Sequence, residues 1–267
     1  AIDLNSVTLD PAAEAGDLAA LAAELPSIAQ AVDAPNVPSP LAGPEVSRLP
    51  TFPLEQALRI LGNGFLAHPP NQRLRERVGV DANPPANPPV AGTGCLTPTP
   101  TPPALKPEDY YRQLLRLIYR FLFLMVAEER QLLTDNETYR RYYSITRLRA
   151  LAEKPGLASG RHDDLYRGLR VTFRLLYDEN VGEKLGIASL NGELFSPLVV
   201  ADLENANLSN ADLLRAIRHL SLYREKNTPR HVNYAALDVE ELGSVYESLL
   251  DYRPVFSISD FGMRISE

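Results

Sequence analysis

The sequence predicts a mainly α fold, an irregular multi-helix domain around one central buried helix at about 109–133, with room for a small β-ribbon and an extended N-terminal lead-in. Three observations indicate this class. The chain has 267 residues, of which 45% are hydrophobic, so it can bury a substantial core. Its apolar residues recur at helical spacing in several stretches, and recognisable capping residues precede some of them. Its prolines concentrate between these stretches, where they would interrupt a helix.

Charge and composition limit the classes of function. The formal net charge of -7 and the pI near 5.3 do not suit a protein that coats nucleic acid through bulk charge, so any DNA contact should be local. Cys95 is the only cysteine, which excludes an intramolecular disulfide, and the four histidines show no metal-ligand spacing. The sequence shows neither a membrane-spanning apolar run nor a secretion signal. We therefore expect a cytoplasmic, metal-free chain without membrane contact.

Composition divides the chain into five parts. Residues 1–50 carry seven acidic residues and one basic one, and we expect a loosely structured lead-in, with partner binding as the lesser alternative. Residues 51–80 should form a helix and turn that pack on the main domain, and 81–107 an extended Pro-rich linker. Residues 108–254 should be a helical domain, and 255–267 a short last segment.

The first helix of the folded part is predicted at 53–66 from its apolar spacing. The residues that carry the period are Leu54, Ala57, Leu58 and Leu61. The string Leu61–Pro69 should end this helix in a turn, because glycine readily adopts positive φ and proline prevents re-entry into the helix. The same string resembles a cofactor-binding glycine loop, but such a loop follows a buried strand and here a helix precedes it.

The central helix is predicted at 108–133, where apolar residues cover most of the circumference. Its polar stripe consists of Arg112, Arg116 and Arg120, which are spaced four residues apart. These arginines could contact phosphates, or they could pair with Glu108 and with acidic residues of neighbouring helices. The sequence leaves both interpretations open.

Shorter elements follow along the chain. A helix is predicted at 162–177, with two acidic residues in its first turn, and turns or a short ribbon are expected from Gly186 to Phe195. Ser209 should cap another helix, with Asp212 three residues later. Residues 226–232 are polar and should form either a loop or one arm of a small hairpin.

A basic, aromatic-rich segment at 139–153 is the best candidate for DNA contact. Residues 109–177 contain 13 Lys and Arg against 8 Asp and Glu, a local surplus in an otherwise acidic chain. Basic side chains interleaved with tyrosines suit phosphate contact with some base stacking, although charged helix faces are also commonly just solvated. The candidate residues are Arg140, Arg141, Tyr142, Arg147 and Arg149, together with Arg116 and Arg120 of the central helix.

Catalytic motifs are not found in proper context. Asn83–Ala86 and Asn87–Val90 match Asn-Pro-Pro, but both lack the aromatic residue that stacks on a flipped adenine. A P-loop, a Gly-x-Ser-x-Gly elbow and a nuclease signature are also missing. We therefore assign no catalytic, cofactor-binding or metal-binding residue, and expect no enzyme activity from these 267 residues alone.

Three segments resemble one protein family. The segment 237–250 reads LDVEELGSVYESLL, an amphipathic helix that Asp238 should cap with Glu241 and that should end before Pro254. The segments 61–69 (LGNGFLAHP) and 110–130 carry further matching wording, in the same order. Together they resemble the N-terminal helical region of large adenine-N6 DNA methyltransferases. These are the type IIG restriction-modification enzymes and the methyltransferases of BREX and DISARM phage-defence systems.

The resemblance implies a function that the composition does not. The chain would be a non-catalytic scaffold and DNA-contacting region, with 108–254 as the scaffold domain. Residues 255–267 would start the connection to a catalytic domain that this sequence does not contain, so the methyltransferase core would lie C-terminal to residue 267. The parent would be a site-specific, S-adenosylmethionine-dependent enzyme. Its partners would be double-stranded DNA, its own C-terminal methyltransferase domain and other subunits of the defence system. The alternative is an acidic helical protein-interaction module that does not contact nucleic acid.

Overall fold

The computed structural model describes residues 51–79, 104–154, 162–187, 193–225 and 228–237. Within these ranges the chain is mainly helical, as predicted, with a small two-stranded antiparallel ribbon. The helices are α1 (Thr51–Ala67), α2 (Gln72–Val78), α3 (Pro107–Glu129), α4 (Glu137–Tyr142), α5 (Ile145–Ala152), α6 (Asp164–Tyr177), α7 (Glu179–Gly182), α8 (Ala201–Glu204) and α9 (Asn210–Ser221). The strands are β1 (Leu222–Glu225) and β2 (Thr228–His231), and short 3-10 turns occur at Pro69–Asn71, Glu183–Leu185, Glu193–Phe195, Pro197–Val200 and Tyr234–Ala236.

Helix α3 is the central buried helix that the sequence predicts. Pro107 occupies its first helical position, where the missing N–H has no partner to lose, and two acidic residues follow in the first turn. Side chains around most of its circumference are buried: Tyr110, Leu114, Leu117, Ile118, Phe121, Leu124 and Met125. Helices α1, α5 and α8 and the turns at Pro197–Val200 and Tyr234–Ala236 pack against it.

Helix α3 ends four residues earlier than predicted, in a left-handed turn. Gln131 has φ of 58°, the Gln131 N–H donates to the Glu128 carbonyl at 3.0 Å, and the Leu132 N–H donates to the Ala127 carbonyl at 2.8 Å. This pair of bonds is a Schellman motif with glutamine in the position that glycine usually takes. The motif redirects the chain from α3 into α4.

Helix α1 continues through Gly62-Asn63-Gly64, so these glycines do not form the predicted positive-φ turn, although the helix does end within the predicted string Leu61–Pro69. The helix ends instead at Ala67, just before His68 and Pro69. Gly64 is needed for packing: a Cβ atom at this position would lie 2.7 Å from Leu208 Cδ1 and 2.9 Å from Asp212 Cβ. The glycine therefore lets α9 approach the backbone of α1, and it does so without a positive φ.

Asn71 fastens the end of α1 to the loop that precedes α9. Its buried side-chain amide donates to the Phe65 carbonyl at 2.8 Å and to the Asn207 carbonyl at 2.6 Å. Its side-chain oxygen accepts the Asn207 N–H at 2.8 Å. One side chain thus satisfies three backbone groups from two segments that are distant in sequence.

Helix α9 and the ribbon that follows it are confirmed. Ser209 Oγ accepts the Asp212 N–H at 3.0 Å, which is the predicted cap. The inward side chains are the predicted ones, Leu213, Leu214, Ile217 and Leu220, all buried. The chain then forms an antiparallel hairpin in which Leu222 pairs with His231 and Tyr223 with Arg230, so the second arm predicted within 226–232 is strand β2.

The remaining predictions divide into confirmed ones and ones that fall elsewhere. Helix α6 matches the predicted helix closely, and Gly186 takes φ of 66°, as a turn requires. The interval Gly186–Phe195, for which turns or a short ribbon are predicted, contains a 3-10 turn at Glu193–Phe195. The acidic lead-in, residues 81–103 of the linker, the helix predicted at 238–250 and the connection at 255–267 lie outside the described residues.

Candidate nucleic-acid interface

Two short helices, α4 and α5, carry the basic segment, and each has a side-chain cap. Asn136 Oδ1 accepts the Thr138 N–H at 2.8 Å and the Tyr139 N–H at 3.2 Å, which starts α4. Ser144 Oγ accepts the Arg147 N–H at 3.2 Å, which starts α5. Because Ser144 starts a new helix, α4 and α5 are separate elements, and the residues around position 142 lie at the junction between them.

Glu128 of α3 holds this junction in place. Its carboxylate accepts the Ile145 N–H at 2.8 Å, the Thr146 N–H at 2.9 Å and the Tyr139 hydroxyl at 2.8 Å. Burial raises the pKa of Glu128, an effect that these hydrogen bonds partly oppose, and burial beside Glu128 raises the pKa of Tyr139. The first N–H groups of α5 are therefore bound within the protein and do not face an external anion.

Four of the candidate residues form one accessible set, which we term the basic–aromatic surface: Arg140, Arg141, Tyr142 and Arg147. The Tyr142 side chain is 55% exposed, and the guanidinium of Arg141 lies 5.5 Å from the centre of its ring. Arg147 contacts the Tyr142 carbonyl at 3.5 Å, and Arg140 pairs with Asp135. Among the described residues, neither Arg141 nor Arg147 has a carboxylate partner. One cation thus lies against the exposed ring, and a second contacts the backbone of the same residue.

Arg149 is a wrong choice as a DNA-contact residue, because it is buried. It forms an ion pair with Glu129 and lies 5.3 Å from the ring centre of Tyr234. One of its nitrogens also donates to the Val232 carbonyl at 3.3 Å. Arg147 and Arg149 are two residues apart on α5, so their side chains face nearly opposite sides of the helix.

Arg120 is also inside the protein, with only 1% of its surface exposed. Its Nε donates to the Leu194 carbonyl at 2.7 Å and a terminal nitrogen donates to the Ser196 carbonyl at 2.8 Å. The guanidinium lies 4.8 Å from the ring centre of Phe173 and 5.8 Å from that of Phe195. Burial lowers the pKa of Arg120 to about 10. The expectation that this arginine reaches DNA is therefore wrong.

Arg116 is half-buried beside a turn and lies away from the basic–aromatic surface. It donates to the Val199 carbonyl at 3.2 Å, in the turn Pro197–Val200 that covers this side of α3. Arg112, the first arginine of the same stripe, pairs with Asp109 at 3.2 Å. The three arginines predicted as one polar stripe on α3 therefore have different environments. Arg112 forms an ion pair, Arg116 contacts a turn and Arg120 lies in the core.

A cleft opens between the basic–aromatic surface and α6. Its volume is about 190 Å³, and Tyr142 and Arg147 lie on one side with Asp164 and Gly168 on the other. Leu165 and Leu169 supply apolar surface within it. Thr172 of α6 donates to the Tyr143 carbonyl at 2.7 Å, which ties the two walls together. The cleft therefore combines a cation, an anion, an aromatic ring and an apolar floor.

The exposed face of α6 adds basic residues that the sequence analysis did not single out. Arg167 and Arg174 are exposed, and each pairs with an acidic residue four positions away, Asp163 and Asp178 respectively. The sequence did contain a signal for these residues. The two arginines are seven residues apart, so they lie on the same face of the helix, away from the buried Leu169. Because both are paired, they contribute less to attraction of an anion than Arg141 and Arg147 do.

The glycines at 62–64 do not fit a cofactor loop. They lie inside α1, and the position of a Gly64 Cβ is already filled by Leu208 and Asp212 of the neighbouring segment. A glycine loop that binds a nucleotide cofactor needs backbone open to the ligand, at the end of a strand. The methyl donor implied by the resemblance therefore finds no such loop at these residues.

Comparison with known proteins does not extend the sequence resemblance. No protein-family model matches the chain, and neither a curated protein nor a solved structure matches it. The similarity to adenine-N6 DNA methyltransferases therefore stays a prediction. In the part of the chain that the structure describes, no group of three or more metal-binding side chains is positioned to hold an ion. The described helices also include none that is long and apolar enough to cross a membrane.

Proposed function

We propose that this chain is a non-catalytic scaffold region of a DNA adenine-N6 methyltransferase from a restriction or phage-defence system, and that it contacts DNA through the basic–aromatic surface. The observation that carries the DNA contact is the pair Arg141 and Arg147, which both contact Tyr142, Arg141 at the exposed ring and Arg147 at the carbonyl, and which have no carboxylate partner among the described residues. Guanidinium groups bind phosphate oxygens, and the exposed Tyr142 ring beside Arg141 can stack on a base.

The scaffold role is supported by how the chain is held just before the segment that resembles the family. Arg130, at the end of α3, donates to the Ala235 carbonyl at 3.1 Å and to the Leu237 carbonyl at 2.8 Å. The Ala235 N–H donates to Glu129 at 3.0 Å. The segment that leads into 238–250 is therefore bound to the central helix. On this proposal, methyl transfer and S-adenosylmethionine binding belong to the catalytic domain of the parent protein.

The DNA contact is tested by binding at two salt concentrations. The full chain is titrated into a fluorescent duplex of about 20 base pairs at about 50 and 200 mM salt, with fluorescence anisotropy as the readout. We expect binding that weakens with salt, and a double substitution Arg141→Ala and Arg147→Ala that lowers the slope of log affinity against log salt by about 2.

The matched control is Arg73→Ala on α2, which removes an exposed arginine outside the basic–aromatic surface. It should leave both the affinity and the salt slope near those of the unmodified chain. A double variant that binds like the unmodified chain would show that DNA is contacted elsewhere. If the unmodified chain binds no duplex at low salt, the proposed DNA contact is wrong and the protein-interaction module is the better reading.

A further inference from the structure

The cleft beside the basic–aromatic surface has space that the protein does not use. A Cβ atom built on Gly168 would meet nothing within 4 Å, although this glycine is in the middle of α6. Glycine in a helix interior is unfavourable relative to alanine by about 0.5–1 kcal/mol. In α1, by contrast, Gly64 is explained by the close approach of Asp212. At Gly168 the described neighbours offer no packing reason, and the residue simply leaves the cleft open.

The polar groups around this space are complementary to a nucleobase. Asp164 Oδ1 accepts the side-chain amide of Asn210 at 2.8 Å, and Oδ2 has no partner among the described residues. Arg147 supplies hydrogen-bond donors on the opposite wall, and Leu165 and Leu169 add apolar surface. A base edge presents amino donors and ring acceptors around a planar apolar ring, so both kinds of polar group would be satisfied.

We propose that this cleft receives one unpaired nucleobase, stacked on Tyr142, from a DNA strand whose phosphates contact Arg141 and Arg147. This inference rests on the DNA contact proposed above and adds the chemical group that is recognised. An aromatic or basic side chain of a protein partner would also fit the cleft walls. Arg147 lines the cleft and Arg141 lies against the Tyr142 ring, and these cations favour a ligand that brings phosphates, because a basic peptide would meet like charge there.

The experiment compares strands that differ only in their bases. The full chain is titrated with a fluorescent single strand of about 12 nucleotides and with a strand of equal length made of abasic residues, which keeps the phosphates. We expect the strand with bases to bind roughly 5- to 150-fold tighter, as one stacked base implies. Gly168→Leu fills the cleft from a position without steric conflict and should remove that difference, while the affinity for the abasic strand stays unchanged.

Two further variants test the stacking ring. Tyr142→Ala should reduce the preference for bases about as much as Gly168→Leu, and Tyr142→Phe should retain it. The matched control is Tyr177→Ala. This residue is a partly exposed tyrosine like Tyr142, but it lies on α6 and does not line the cleft. Thermal unfolding of each variant checks that it is folded.

The outcomes separate this inference from the proposed function. Equal affinity of the unmodified chain for the two strands, or a preference for bases that survives Gly168→Leu in a folded protein, would overturn the base-binding cleft and leave the phosphate contact standing. If neither strand nor the duplex binds, both proposals are wrong. Loss of abasic-strand binding in Gly168→Leu would also overturn the inference, because the cleft would then be serving the phosphates.

Discussion

Among the described residues, Arg120 is one of the largest side chains that are less than 2% exposed, and it shows how a charge is accommodated among apolar neighbours. Its planar guanidinium lies against Phe173 and Phe195 and donates in its plane to two carbonyls. Burial lowers its pKa only to about 10, so it remains cationic at neutral pH. A lysine would offer neither the flat face nor the fork that this arrangement uses.

We predict that Arg120→Lys destabilises the protein by about 2–3 kcal/mol, because a hydrogen bond to a charged group is lost and one buried carbonyl is left unsatisfied. The free energy of unfolding is measured by urea denaturation followed by circular dichroism. Arg112→Lys is the control on the same helix, since its partly exposed pair with Asp109 should change stability by less than about 0.5 kcal/mol. A similar effect of both substitutions would contradict the structural role of Arg120.

The position of Arg120 could not be predicted from spacing alone. It follows Arg112 and Arg116 at four-residue intervals, which is the pattern of an exposed polar face. The groups that bring it inside are backbone carbonyls 74 and 76 residues further along the chain. Arg149 is a second case, since its partner Tyr234 also comes from a distant segment. Tertiary partners of this kind leave no mark on local periodicity.

At the scale of elements, the predictions that succeeded rest on local interactions. Ser209 and Asp212 form their cap within four residues, and α9 begins where the sequence indicated. Helix α3 was predicted because its apolar residues continue for about six turns, well beyond the length of a surface helix. The failure at Gly62-Asn63-Gly64 arises because glycine can serve either a turn or a close helix contact, and only the position of α9 decides between them.

The two helix glycines, Gly64 and Gly168, should respond to the same substitution with opposite sign. Gly64→Ala should destabilise the protein by about 1–3 kcal/mol, because its Cβ would overlap Asp212 and force α9 to shift. Gly168→Ala should stabilise it by about 0.5–1 kcal/mol, because the methyl group meets open space and alanine is the better helix former. Urea denaturation of both variants against the unmodified chain gives the two values.

Each variant of this pair is the control for the other, since both introduce one methyl group into a helix. A stabilising Gly64→Ala would contradict the close approach of α1 and α9. A destabilising Gly168→Ala would show that the cleft is narrower than described. Because Gly168→Ala adds only one methyl group, it also reports the stability of α6 separately from filling of the cleft by leucine.

At the scale of the whole molecule, the sequence predicted where the candidate surface would be but not which residues belong to it. Arg140, Arg141, Tyr142 and Arg147 were predicted together because they are close in sequence, and the break at Ser144 keeps them on one accessible side. The other wall of the cleft comes from α6, which is joined to this junction through Thr172 and Tyr143. When two separate elements form a site, the sequence can indicate the residues of each element but not that the two elements meet.

The attachment of the segment Asn233–Leu237 to α3 makes a prediction for the assembled domain. Arg130→Ala removes the donors to Ala235 and Leu237, so the segment should open more often and expose the buried Tyr234. We expect chymotrypsin to cleave after Tyr234 faster in this variant, with a loss of about 1–2 kcal/mol of local stability. The control is His231→Ala, an exposed residue of β2. Equal cleavage rates in the two variants would show that Arg130 does not hold the segment.

This attachment also has a mechanical consequence. Leu237 is bound directly to the end of α3, and the hairpin is connected to Leu237 only through the intervening residues. Tension applied to the chain at Leu237 would pass into α3 through Arg130 and into α9 through the Tyr234 hydroxyl, which donates to the Leu220 carbonyl at 2.6 Å, before it reached β1 and β2. When the chain is pulled from Leu237, β1 and β2 should therefore separate only after the hydrogen bonds of Arg130 have broken.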